Sequence, residues 1–173
     1  MKNTVLRYGI YGAITISVLF LIALYAGKNL SFTAQEVIGY STMVISLIFV
    51  FFGIKHYRDK ENNGVVSFGK ALAIGVLISL FAAIAFGLLD VIYIKFINPD
   101  FTAEYYTTIT EQMKSSLTEA EFEIKIAELE AQKELFSSPL MNFLLMSFTV
   151  LIIGFIISLI SGLILQRKPS TNN

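Results

Sequence analysis

Nineteen consecutive residues, 71–89, carry no charged side chain. That stretch restricts the fold more than any other, because about 20 apolar residues in a helix cross the hydrocarbon core of a bilayer. Every fourth position in it is small: Ala71, Gly75, Ser79, Ala83 and Gly87. Small residues let helix backbones approach closely in lipid, where packing rather than hydrophobicity drives association. A spacing of four drifts by about 40° per step against the helical repeat, so five positions sweep about 160° and can meet two neighbours. The stripe is read as packing within a bundle. A homodimer seam or a conduit wall would use the same close approach. Shorter versions recur as Gly154, Ser158 and Gly162, and as Gly9, Ala13 and Ser17.

The rest of the 173-residue chain agrees with a lipid environment, being 55% apolar and 15% charged with a mean hydropathy of +0.68. Soluble domains carry about 45–50% apolar and about 25% charged residues, and the excess is too large for one small core. The formal net charge is zero, so no global field recruits nucleic acid. Without cysteine there are no disulfides, thiol nucleophiles or cysteine-held metal sites.

Three further uncharged runs accompany the central one. Residues 8–27 follow Lys2 and Arg7; this run is longer than the core of a signal peptide, and is read as an uncleaved transmembrane helix. Residues 37–54 form the second span, with Gly39, Ser46 and Gly53 seven apart and Thr33 with Glu36 as a capping box. The third span, 70–97, is capped by Ser67 and ended by Asn98-Pro99, since a residue before proline leaves the α region. The fourth, 140–165, opens at Ser137-Ser138-Pro139. A tight turn is expected at Asn62-Asn63-Gly64, whose residues tolerate positive φ. Between spans three and four, Phe101, Tyr105, Ile109 and Met113 mark one amphipathic helix. A break near Ser115-Ser116 and a capping box from Thr118 to Glu121 open a second, carrying Phe122, Ile126, Leu129 and Phe136 on one side.

Charge orients this arrangement. One set of ends holds Lys2, Arg7, Lys55, Arg58, Lys60, Lys70, Arg167 and Lys168, against Lys28 alone in the short opposing loop. The positive-inside rule then puts both termini in the cytoplasm. The segment 100–138 falls outside, with nine acids and three lysines from 100 to 134.

Few residues invite chemistry. Asp90 is an acid inside a hydrophobic run, a proton- or ion-site candidate by default. Its place near the outer end of span three, close to Lys95 and Lys28, favours an interfacial residue that is paired or hydrated. His56 is the only histidine, and reads as a helix-end cation near anionic headgroups. Glu119, Glu121 and Glu123 are two apart and diverge on a helix. No phosphate loop, nucleophile elbow or HExxH pattern occurs, and no cofactor or metal site is expected.

The stretch Gly53-Ile54-Lys55-His56-Tyr57-Arg58-Asp59-Lys60, then Asn63-Gly64 and Ser67-Phe68-Gly69-Lys70-Ala71-Leu72, with Asn98-Pro99-Asp100-Phe101 after the third span, resembles the bacterial membrane family called domain of unknown function (DUF) 4199. The resemblance covers essentially the whole chain. It implies a small integral inner-membrane protein with no assigned activity, and hence no catalytic residue to carry over.

The expectation is an all-α protein with four transmembrane helices in a single membrane domain, 1–173, in the bacterial inner membrane. An extracytoplasmic amphipathic helical hairpin lies between helices three and four. The leading function is non-enzymatic: a structural or accessory protein whose partners are the lipid bilayer and itself or another membrane protein, without nucleic acid. The alternative is a transporter or channel component using Asp90 with Ser79, Asn142, Ser147 and Thr149. A membrane enzyme ranks third.

Overall fold

The computed structural model describes residues 1–27, 30–136 and 138–168. Among these, four helices are long and apolar enough to cross a membrane: Lys2–Gly27, Phe32–Glu61, Phe68–Ile97 and Pro139–Leu165. They suggest a multi-pass membrane protein. The first is α1. The second is composite, with α2 (Phe32–Ser46), a break at Leu47, α3 (Ile48–His56) and a π-helical turn, Tyr57–Glu61. The third is α4 (Phe68–Ile92) followed by a second π-helical turn, Tyr93–Ile97. After α5 (Phe101–Ser116) and α6 (Glu119–Phe136), the last is α7 (Pro139–Leu165). Of the residues used in the sequence reading, Lys28 and Ser137 lie outside those described.

The break at Leu47 was not expected, and local chemistry explains it. Thr42 Oγ1 and Ser46 Oγ donate to the Gly39 and Met43 carbonyls at 2.7 and 2.8 Å, competing with the helix ladder. The Val50 N–H then bonds the Leu47 carbonyl at 3.0 Å, a tight three-residue step in place of the regular four-residue one. At the start of α2 the cap is Ser31, whose hydroxyl accepts from the Ala34 N–H at 3.3 Å; Thr33 sits inside the first turn. Ser67 stands before α4 as expected, accepting from the Lys70 N–H at 3.4 Å.

The chain divides into two compact units, Met1–Phe86 with Met146–Asn173, and Gly87–Leu145. The first holds the apolar core. Ile16 of α1, Leu47, Val50 and Ile54 of the composite helix, Ala71, Ile74 and Ile78 of α4, and Val150 of α7 are buried together. On the opposite side of α4, Leu77, Leu80, Ile84 and Leu88 stay exposed, the pattern of a helix with one face in a bundle and one facing lipid.

In the second unit α5 and α6 pack on each other, burying Tyr106 and Leu129. The expected α5 stripe of Phe101, Tyr105, Ile109 and Met113 is only half-buried; Tyr106, beside it, is the residue that goes in. Helix α5 also runs on through Ser116, where the expected break would fall, and the Ser115 and Ser116 hydroxyls donate to the Gln112 carbonyl at 2.9 and 2.7 Å. The chain turns at extended Leu117. Thr118 and Glu121 then form the carboxylate half of the expected box, with the Thr118 N–H and hydroxyl donating to Glu121 Oε2 at 3.1 and 2.7 Å.

Candidate functional site

The small residues of α4 meet those of α7 in a reciprocal arrangement. A Cβ added to Gly75 would lie 2.7 Å from Ser158 Cβ, and one added to Gly154 would lie 2.5 Å from Ser79 Cβ. Each glycine thus provides the space filled by the other helix's serine. One turn further along α7, a Cβ at Gly162 would meet Phe68 at 3.2 Å and Ala71 at 3.6 Å. Val50 of α3 stands 3.0 Å from the added Cβ at Gly75, so two different helices close on that position. Ala83 is buried, and its carbonyl accepts from Ser147 Oγ at 3.1 Å. Gly87 is buried too, in the second unit.

Elsewhere the small residues divide. Gly53 faces Ile78 and Tyr8, and Gly9 faces the Phe81 ring, with added-Cβ distances of 3.2 Å to Tyr8 Cβ and 2.7 Å to Phe81 Cγ. Gly39, on the same expected face as Gly53, has open space around it. On α1 it is Gly12 and Ile16, rather than Ala13 and Ser17, that are buried with Gly9. A step of three followed by one of four stays closer to the helical repeat than two steps of four.

The serines inside this packing are chemically committed. Ser79 Oγ donates to the Gly75 carbonyl at 2.9 Å and Ser158 Oγ to the Gly154 carbonyl at 2.6 Å. Among the described residues no buried side-chain nitrogen or oxygen lacks a hydrogen-bond partner, and no cluster of three metal-ligating side chains occurs. Thr149 is half-buried on α7, and Asn142 is buried in the second unit. Asp90 is half-buried near the end of α4 and has no salt-bridge partner among the described residues.

A feature that sequence reasoning missed ties the ends of the helices in the first unit. Arg58, only 7% exposed, donates through Nη1 to the Leu165 carbonyl at 3.3 Å and pairs with Asp59 at 2.6 and 3.1 Å. A cation on the last carbonyls of α7 satisfies an acceptor the helix leaves free and suits the helix dipole. Val66 and Arg167 exchange both backbone hydrogen bonds, at 3.1 and 2.9 Å. The turn that positions Val66 has Asn63 at φ 50° and Gly64 at φ 79°, closed by the Val65 N–H on the Asn62 carbonyl at 3.0 Å. Glu61 accepts from Thr4 Oγ1 and from the Met1 nitrogen. His56 lies against Tyr8, ring centroids 5.6 Å apart. In the sequence Arg58 looked like one more topological charge, and nothing in its neighbours marked it as buried.

The second unit contributes an open groove between α5 and α6, lined by Tyr106, Thr110, Glu111, Ile126, Leu129 and Lys133. Lys133 Nζ stands 5.9 Å from the Tyr106 ring centroid, and burial pushes the Tyr106 phenol above its ordinary range. Tyr93, Phe101, Tyr105 and Tyr106 form a series of ring contacts with centroids 5.2, 6.3 and 5.8 Å apart.

A family model described as a protein of unknown function, DUF4199, matches residues 7–167. The chain belongs to that family. No curated protein and no solved structure matches it. For this DUF4199 chain, membership agrees with the resemblance carried by the basic turn, the start of α4 and Asn98-Pro99. It assigns no chemistry to any residue.

Proposed function

We propose that this DUF4199 protein is a non-enzymatic accessory protein of the bacterial inner membrane, packed around α4. The carrying observation is that the polar groups between α4 and α7 serve packing, since the Ser79 and Ser158 hydroxyls bond their own helices and fill the space left by Gly154 and Gly75. A conduit through this seam would need polar groups turned toward a passing solute. The eight cations at the ends of the spans support cytoplasmic termini; with that orientation the α5–α6 pair would be an acidic hairpin outside, able to meet a partner. Because α7 covers the stripe, a second copy or another membrane protein would use a different face. Crosslinking in mild detergent is expected to capture such a partner. Recovery of monomer alone, from membranes as well as from detergent, would remove this reading.

A second reading rests on one residue. Asp90 is a half-buried carboxylate in a helix able to cross a membrane, without a salt-bridge partner among the described residues. A proton- or ion-coupled transport component would use it, and Asp90→Asn should then abolish flux in proteoliposomes. Unchanged flux in that variant, or none with the parent for any ion tried, leaves the accessory role.

A further inference from the structure

We infer that the basic end of the first unit binds the phosphate group of an anionic phospholipid, in the groove between the start of α4 and the residues that follow α7. Val66, Phe68, Gly69, Gln166, Arg167 and Lys168 line this groove. The paired hydrogen bonds between Val66 and Arg167 fix its two walls, so the backbone carrying both cations is ordered before any ligand arrives. The open part of the lining is amphiphilic, with half-buried Phe68 beside exposed, cationic Arg167 and Lys168, which suits a headgroup attached to a glycerol and acyl chains. Leu163 and Ile164, just before the groove on α7, are 60% and 64% exposed. On a helix able to cross a membrane such side chains face lipid, so acyl chains have a surface to follow away from the phosphate.

Charge favours the same ligand. Lys2, Lys55, Lys60, Lys70, Arg167 and Lys168 are exposed at this end, and none has a salt bridge among the described residues. The two acids present are already engaged, Asp59 by Arg58 and Glu61 by Met1 and Thr4. The groove sits where α4 begins and α7 ends, at headgroup depth for helices of this length. An arginine there can take a phosphate through two parallel hydrogen bonds, and cations near an anionic surface each strengthen binding about fivefold. The inference does not depend on which side of the membrane this end faces, nor on the accessory role.

The test uses the full chain in a neutral detergent, with the apparent Tm read during titration with phosphatidylglycerol, phosphatidylcholine or inorganic phosphate. Phosphatidylglycerol is expected to raise Tm saturably, and phosphatidylcholine and inorganic phosphate to leave it unchanged. The double variant R167Q/K168Q should need about 25-fold more phosphatidylglycerol for the same shift. If it fails to fold, K60Q/K70Q should show a smaller displacement in the same direction. Lys114→Gln, in the second unit, should behave as the parent. Equal stabilisation by both lipids would mean that the cations set topology alone, and a response to inorganic phosphate would point to a soluble anion; either overturns the proposal. So would a phosphatidylglycerol response untouched by both double variants.

Discussion

A methyl group at position 75 has no room, since its carbon would sit 2.4 Å from Ser158 Oγ, 2.7 Å from Ser158 Cβ and 3.0 Å from Val50 Cγ1. Gly75→Ala should therefore lower detergent stability by about 1–3 kcal/mol, the ordinary cost of overpacking. Adding Ser158→Gly to that variant vacates the space, so thermal unfolding of the double variant should recover most of the loss. Gly39→Ala is the control, because nothing lies within 4 Å of its added carbon; that variant should match the parent. A loss at position 39 as large as at position 75 would mean that glycine acts through backbone freedom and not through close approach. Ser79→Leu puts a far larger group against Gly154 and should loosen the bundle further.

At the scale of single elements, α6 depends on a box that titrates. Hydrogen bonds from the Thr118 hydroxyl and N–H hold Glu121 below the usual carboxylate range. A carboxylate lowered by folding adds stability that is complete above its unfolded value, about 4.3, and is lost as pH falls through the folded value. Amide exchange in the first turn of α6 should thus accelerate on acidification below about pH 4. Glu121→Gln should remove most of that pH dependence; an unchanged acid response would assign it to other groups. Element boundaries such as this one were legible in the sequence because caps and turns are local: Ser67, Thr118 with Glu121, Asn63-Gly64 and Asn98-Pro99 all act within a few residues of themselves. The small stripe on α4 was legible for the same reason. What covers the stripe was not, since Gly75 and Ser158 look alike whether they meet each other or lipid. The break at Leu47 also escaped, as hydroxyls at Thr42 and Ser46 bond back only in some rotamers. Arg58 was hidden by its company, one cation among eight whose burial depends on a helix ending more than a hundred residues later.

For the whole molecule, orientation is open to direct measurement, because the chain contains no cysteine. Single cysteines at Lys60 and Glu121 should give opposite accessibility in intact cells, with an impermeant reagent reaching only position 121. Labelling of position 60 alone would invert the proposed topology. The contact between Arg58 and Leu165 joins positions 107 residues apart, and the Val66–Arg167 pair spans a similar distance. A ribosome adding about 5–20 residues per second takes roughly 5–20 s to cover that interval. Throughout it, the backbone groups of Val66 are present while Arg167, which pairs with them, does not yet exist. The basic turn therefore closes only after α7 has been made. Nascent chains halted before Arg167 should be cut by protease at residues 62–66 and completed chains spared there; equal cutting would show that the turn closes without its distant partner.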